Sequence, residues 1–331
     1  MQTFLVLISL IIISFLFTYL LRKLKISKVV SLILLGLIFG STNFGIFFIQ
    51  GAQETILILG HVGLLSLMFL AGLESSYKTL IEEEHDAFEL SIFNFAITLA
   101  LSFFVFFMLG FSFIESIIIG LCLCVSSEGS KAREFIELNL IKTKVASALL
   151  AGGFIVNIFT LVCFFVILFF SGFNEYFEYL LLAGILISFI VGLTTQHFFL
   201  EHHITKKTEF LFANFFVPFF FISLGLNFTF DSLKSDLFLF AVILLVGISS
   251  KFIGTFLAKS HTTFSNKQLH LISWGMNSRG AIGIALALVA LHANLISELL
   301  FSILVITALI TTLLFPFILE FFLKKNPKIM N

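Results

Sequence analysis

Apolar residues fill long blocks along the whole chain, separated by short polar intervals, and runs such as Leu5–Leu20 show no two-residue alternation. At about 1.5 Å per helical residue, a block of roughly 18 residues crosses a hydrocarbon core of about 30 Å. The pattern predicts about eleven transmembrane helices, at 3–21, 28–46, 56–73, 87–110, 112–139, 145–171, 178–199, 210–228, 237–258, 268–292 and 298–323. An outer-membrane barrel needs short segments of alternating polarity, which these are not. The expected fold class is an all-α integral membrane protein.

Composition makes lipid the solvent for most side chains. Hydrophobic residues are 59% of the 331 and charged residues 11%, and the mean hydropathy is +1.14, more apolar surface than a water-soluble chain can hide. No basic residue precedes the first span, no small-residue cleavage site ends it, and Arg22, Lys23, Lys25 and Lys28 follow it. It reads as a retained anchor rather than a signal peptide. Cys122, Cys124 and Cys163 lie in apolar spans without metal-type spacing, so they read as small buried hydrophobes rather than as disulfides or a zinc site.

Placing residues 22–28 in the cytoplasm and alternating sides from there puts the N-terminus outside and the C-terminus inside. Sixteen of the nineteen basic residues then face the cytoplasm, Lys131 and Arg133 being counted by the side of the membrane they approach. Lys234 falls in an outer loop. Lys251 and Arg279 fall inside apolar spans, where a charge costs roughly 2.5–3.5 kcal/mol on insertion scales. Among the acids, Glu128 alone interrupts a stretch at membrane depth, in Cys122-Leu-Cys-Val-Ser-Ser-Glu-Gly-Ser130. Glu128, Lys251 and Arg279 are therefore the candidate polar pathway, against a reading as snorkelling side chains or structural ion pairs.

Two segments suggest an internal repeat. Phe69-Leu-Ala-Gly-Leu-Glu74 ends the third span and Phe221-Ile-Ser-Leu-Gly-Leu226 the eighth; aligned on Gly72 and Gly225 they are 153 residues apart. The same offset carries Ser126-Ser-Glu-Gly129 onto Arg279-Gly-Ala-Ile282, both being breaks in otherwise apolar runs. Five spans separate the copies, so the second runs in the opposite direction through the membrane. Inverted repeats with an interrupted helix in each half mark secondary transporters, whose ion sites lie among the freed backbone groups.

These residues resemble the monovalent cation:proton antiporter superfamily, in particular its bacterial sodium/proton and potassium/proton exchangers. Leu35-Gly-Leu-Ile-Phe-Gly40 is similar to the family's glycine-rich second helix, and Phe69–Glu74 to its Phe-Leu-Ala-Gly-Leu-Glu signature. Ser126-Ser-Glu-Gly-Ser-Lys-Ala-Arg-Glu-Phe-Ile-Glu-Leu138 resembles its broken helix, and Phe216-Val-Pro-Phe-Phe-Phe-Ile-Ser-Leu-Gly-Leu226 its Pro-x-Phe-Phe-x-x-x-Gly-Leu stretch. Ser250-Lys-Phe-Ile-Gly254 and Arg279-Gly280 complete the order. The resemblance implies a sodium/proton antiporter-like fold with two crossing broken helices, and a homodimer. Residues 1–86 and 178–236 would be dimerisation-panel helices, 87–171 and 237–323 the ion-translocating core, and 324–331 a short cytoplasmic tail.

Two departures stand out. Where the family carries its ion-binding carboxylates in the sixth helix, this chain reads Val156-Asn157. An amide can coordinate a cation through its carbonyl oxygen but releases no proton at physiological pH. The carboxylate on offer nearby is Glu128, so the resemblance implies an altered site: Glu128 titrating, Asn157 with the backbone around Ser126, Ser127 and Asn277 coordinating, and Lys251 and Arg279 balancing charge, with Lys251 as counter-ion to Glu128. Only about 30 residues separate Asn157 from Ile187–Leu193, which resembles the family's Gly-Ala-Phe-Leu-Ala-Gly-Leu, so two linking helices are expected to be absent. No nucleotide-binding domain is expected after Asn331.

The Glu82-Glu-Glu-His-Asp86 run is expected to be a solvated cytoplasmic loop rather than an ion-attracting mouth, and His197, His202 and His203 to be interfacial rather than pH sensors. The many Phe residues suit lipid-facing and packing positions. No dinucleotide or phosphate-loop motif occurs, so no cofactor, metal or nucleic-acid partner is expected. The expected function is exchange of Na⁺ or K⁺ for protons across the cell membrane; the alternative is a non-exchanging pore or interaction subunit built on the same scaffold. A membrane enzyme has no nucleophile or metal constellation behind it.

Overall fold

Polar interruptions decide where the helices stop. The computed structural model describes residues 2–23, 26, 28–74, 84–171, 183–185, 187–192, 194–195, 210–226 and 236–330, and no strand occurs among them. The helices are α1 (Gln2–Arg22), α2 (Lys28–Ser41), α3 (Asn43–Ile49), α4 (Gln53–Glu74), α5 (Glu84–Met108), α6 (Phe113–Cys124), α7 (Glu128–Glu137), α8 (Lys144–Ser171), α9 (Val217–Leu226), α10 (Leu237–Leu257), α11 (Asn266–Asn277), α12 (Ala281–His292) and α13 (Glu298–Lys325). Eight described spans are long and apolar enough to cross a membrane, α6 with α7 and α11 with α12 each counting as one, and three shorter apolar helices lie at Lys28–Gly40, Ala183–Gly192 and Phe212–Leu226. The expected span at 28–46 divides at Thr42, whose hydroxyl accepts from Gly45 N–H at 3.0 Å and starts α3. The histidines 197, 202 and 203 and the acids 82 and 83 lie outside the described residues.

The chain forms two compact units, Met1–Ser75 with Tyr179–Asp231, and Ser76–Glu178 with Ser232–Asn331. In the first, glycines bring backbones together, the usual solution where lipid gives helices no hydrophobic reason to associate. A Cβ at Gly36 would run into the Ile222 carbonyl of α9, and one at Gly225 would lie 2.8 Å from Gly36 Cα. One at Gly60 of α4 would stand 2.6 Å from Ser223 Oγ. Phe212–Phe216 forms a single π turn leading into α9, and Lys28 Nζ donates to its Ala213 carbonyl at 2.8 Å and to Asn214 Oδ1 at 2.6 Å. The large apolar side chains of α1, Phe4, Leu5, Ile12, Leu16 and Tyr19 among them, are exposed, as suits a helix facing lipid.

The second unit consists of α5–α8 and α10–α13, and its halves repeat in register. Both α6 and α11 run twelve residues, from Phe113 and Asn266, and end at Cys124 and Asn277. Their continuations begin at Glu128 and Ala281. Each pair is 153 residues apart. Even the caps correspond: Ser112 with Glu115 and Ser265 with Gln268 form two capping boxes at matching positions.

The repeat-related helices α5 and α10 are antiparallel. Asp86 near the start of α5 accepts from Thr263 N–H just beyond α10, at 3.3 Å, while two turns later Asn94 Nδ2 donates to Thr255 Oγ1 at 3.2 Å. Continuing that register another turn sets Thr98 across from Lys251, and these two are themselves 153 residues apart. The local two-fold axis of the inverted repeat therefore passes between them. A core of Phe135, Leu149, Leu269, Ile272, Met276, Phe315 and Leu319 closes one end of the unit. The chain's last residues join it: Ile329 and Met330 are buried, and Val145 N–H donates to the Met330 carbonyl at 3.1 Å.

Candidate functional site

Breaking a helix inside an apolar bundle frees backbone groups that need partners. Residues 125–127 and 278–280 are non-helical, and the two breaks meet where Ser127 N–H donates to the Ser278 carbonyl at 2.8 Å. Ser130 Oγ extends the contact, 2.8 Å from Ser127 Oγ and 3.3 Å from Ser278 Oγ. Gly280 is needed at this crossing, since a Cβ there would lie 2.5 Å from Ser127 Cβ.

The C-terminal end of α6 carries the negative end of a half-helix dipole, and two buried cations are aimed at it. Lys251 Nζ donates to the Cys124 carbonyl at 2.5 Å. Arg279 Nε donates to the Leu123 carbonyl at 3.3 Å, and its Nη2 to the Gly247 carbonyl of α10 at 2.7 Å. Lys251 is 0% and Arg279 2% exposed. A Cβ at Gly247 would come within 2.8 Å of Arg279 Nη2, so the guanidinium lies where only glycine leaves room. Thr312 Oγ1 donates to the Arg279 carbonyl from α13, fixing the second break.

Glu128 is the first residue of α7, where the positive end of a dipole favours a carboxylate. Asn157, facing it from α8, makes three hydrogen bonds: Oδ1 accepts from Ser126 N–H at 3.0 Å, and Nδ2 donates to the Ser126 carbonyl at 2.9 Å and to Glu128 Oε2. The amide thus stands in for the helical partners that the break removed from Ser126, and turns its remaining donor on the carboxylate. One turn earlier on α8, a Cβ at Gly153 would overlap Glu128 Oε1.

The ammonium beside this carboxylate belongs to Lys131. Its Nζ lies 3.6 Å from Glu128 Oε1 and donates to Ser126 Oγ at 2.8 Å and to the Leu149 carbonyl at 3.1 Å. Lys131 is 0% exposed. Sequence reasoning counts it with the cytoplasmic charges by the side of the membrane it approaches; its spacing of three residues from Glu128, which sets both on one face of α7, is the signal available. Lys251, expected as counter-ion to Glu128, donates to the Cys124 carbonyl at the end of α6.

Of the other expected site residues, Ser126 and Ser127 lie at the first break as described. Asn277 ends α11, nearly fully buried, with Nδ2 donating to the carbonyls of Ser273 at 3.0 Å and Ile248 at 3.3 Å. Asp86 of the acidic run is buried rather than open, accepting from Thr263 and lying 3.3 Å from Lys144 Nζ. Among the described residues no group of three or more His, Cys, Asp or Glu could hold a metal, and Cys122, Cys124 and Cys163 are free thiols.

A family model described as "Sodium/hydrogen exchanger, transmembrane" matches residues 11–176 and 175–325. The chain is similar to the Na(+)/H(+)-K(+) antiporter GerN of Bacillus cereus, 23% identical over 92% of each chain. It is also similar to a Na(+)/H(+) antiporter of Enterococcus hirae, 25% identical over 92% of this chain and 94% of that one. Among solved structures it resembles the sodium proton antiporter MjNhaP1 of Methanocaldococcus jannaschii, with a TM-score of 0.71, 20% identity, and coverage of 97% of this chain and 98% of that one. At that identity the likeness is one of fold.

Proposed function

Because the chain belongs to the transmembrane sodium/hydrogen exchanger family, we propose that it exchanges a monovalent cation, Na⁺ or K⁺, for protons across the cell membrane, at an ion site rebuilt around Glu128. The reading is carried by one observation: a half-buried carboxylate is held at the crossing of two broken helices by Asn157, an amide on the helix where the resemblance implies an acid. In a one-site exchange the carboxylate holds either a proton or the cation, never both, and each is released on a different side. Glu128 is the titrating group. Oxygens around Ser126, Ser127, Asn157 and Asn277 complete the cation's shell, and Lys251 and Arg279 offset the dipole of α6 so that the site's net charge is set by Glu128 and its occupant.

The division into two units supports reading 87–171 and 237–323 as the translocating core and 1–86 and 178–236 as the panel of a homodimer. The excess of basic residues in alternate loops supports an N-terminus outside and a cytoplasmic C-terminus. In proteoliposomes, a Na⁺ or K⁺ gradient drives dequenching of a pH-sensitive dye, and Glu128→Gln abolishes it; undiminished exchange in that variant removes Glu128 from the mechanism. Current without proton movement in the unaltered protein would favour the non-exchanging pore.

A further inference from the structure

We propose that the joined ends of α10 and α11 form a binding site for one anionic phospholipid, its phosphate held between Lys259 and Lys267 and its acyl chains lying against Phe252, Phe256 and Trp274. The site is separate from the two helix breaks and does not depend on the reading of Glu128.

The two helices are antiparallel neighbours whose facing side chains pair in rungs. Phe252 meets Trp274 edge to face, with ring centroids 5.3 Å apart. One turn nearer the connection, Phe256 meets His270 edge to face at 4.8 Å, and the His270 ring lies 6.0 Å from that of Phe252. Edge-to-face contact is a geometry that aromatic pairs prefer, and it holds the rings as one platform. The same register, continued into the 3-10 turn Ala258–His261, brings Lys259 level with Lys267. The rungs therefore pass from apolar rings, through an imidazole, to two ammonium groups. A phospholipid presents acyl chain, ester region and phosphate in that order.

Lys259, Lys267 and His270 are exposed, and Phe252, Phe256 and Trp274 are partly buried. Beside them on α10, Ile253 is 44% and Leu257 48% exposed, a surface suited to lipid tails. Neither lysine has an ion-pair partner among the described residues, and Asp86, at the same end of the unit, is engaged by Thr263 and Lys144. Lysines that only snorkel gain nothing from standing level with each other. Two such ammonium groups repel, and a phosphate between them replaces that repulsion with two attractions. The proposed topology gives this end to the cytoplasm, where the leaflet is anionic and each lysine near its surface strengthens binding about fivefold.

Trp274 is the only tryptophan in the chain, so its fluorescence reports on the site. The test reconstitutes the purified full chain in phosphatidylcholine vesicles containing a minor share of phosphatidylglycerol, with brominated acyl chains on one lipid or the other. Bromine quenches tryptophan at contact, so the two quenching curves give the relative affinity of the two lipids. The unaltered protein should prefer phosphatidylglycerol at least about tenfold. Lys259→Gln combined with Lys267→Gln should bring the two lipids to near parity. Either single variant should lose about fivefold and carries the test if the double variant does not fold. Lys324→Gln with Lys325→Gln, which removes the same charge from the end of α13, should keep the preference within about twofold. Equal quenching by both lipids in the unaltered protein overturns the proposal, as does an undiminished preference in the Lys259 and Lys267 variants. An equal loss in the α13 variant overturns it too, because the attraction would then belong to the whole charged surface. Loss of the preference on adding inorganic phosphate would make the lysine pair a site for free anions and not for lipid.

Discussion

Asn157 and Glu128 form a pair in which an amide donates to a carboxylate across two helices. Their chemistry is directional, and it can be reversed. Glu128→Gln with Asn157→Asp keeps one amide and one carboxylate facing each other, with the acid moved to α8. Glu128→Gln leaves two amides, which still bond to each other but hold no exchangeable proton, and Asn157→Asp leaves two acids, whose like charges repel. Dye dequenching in proteoliposomes should show both single variants far below the unaltered protein and the double variant recovering at least about a tenth of its rate. A double variant as inactive as the singles would mean that the two positions are not interchangeable carriers of the charge.

Gly247→Ala should weaken the grip on Arg279 without touching Glu128. The added Cβ would crowd Nη2 and the Leu123 side chain, at 2.8 and 3.1 Å, and the guanidinium would lose the Gly247 carbonyl. The expected loss is about 1–3 kcal/mol, that of a buried donor left unpaired. Thermal unfolding in detergent, followed by size-exclusion chromatography, should show a lowered midpoint. Ser249→Ala, on the exposed side of the same helix, should stay within about 0.5 kcal/mol.

Ser112→Ala and Ser265→Ala remove equivalent caps from the two broken helices. Each should cost about 1 kcal/mol, and the two losses should be nearly equal and additive, because the sites are distant and share no partners. Midpoints for the two single variants and the double would show it. A large difference between the singles would mean that the first turns of α6 and α11 differ in more than their capping serine.

Removing Pro327–Asn331 should destabilise the second unit. Ile329 and Met330 leave the core, and Val145 N–H loses the Met330 carbonyl. Burying one such side chain is worth about 1.5–3 kcal/mol, so the shortened chain should unfold at a clearly lower temperature. Tags fused directly after Met330 should show the same effect in milder form; an unchanged midpoint would mean that these residues contribute little to packing.

How much of this could be read from residues alone differs from element to element. The two breaks announce themselves, because Ser126-Ser-Glu-Gly129 and Arg279-Gly-Ala-Ile282 are polar or glycine-bearing where lipid or packed apolar side chains should follow. The offset of 153 residues rests at first on two short matches, yet it governs the starts of α6 and α7 and their mates α11 and α12. Lys131 is hidden by the same rule that sets the topology: counting basic residues by the side they approach says nothing of depth, whereas α7 turns its Glu128 face into α8. Which cation meets which carbonyl is also beyond reach, since the partners of Lys251 and Arg279 are main-chain oxygens, and these leave no trace in residue identity.

Lys251 stands beside the axis that relates α5 to α10, opposite its own repeat mate Thr98. A position on such an axis faces its own mate, so the two halves are at their most unequal there: one supplies the Thr98 hydroxyl, the other the Lys251 ammonium that caps the end of α6. The seam between the copies thus carries a charge that belongs to one of them alone.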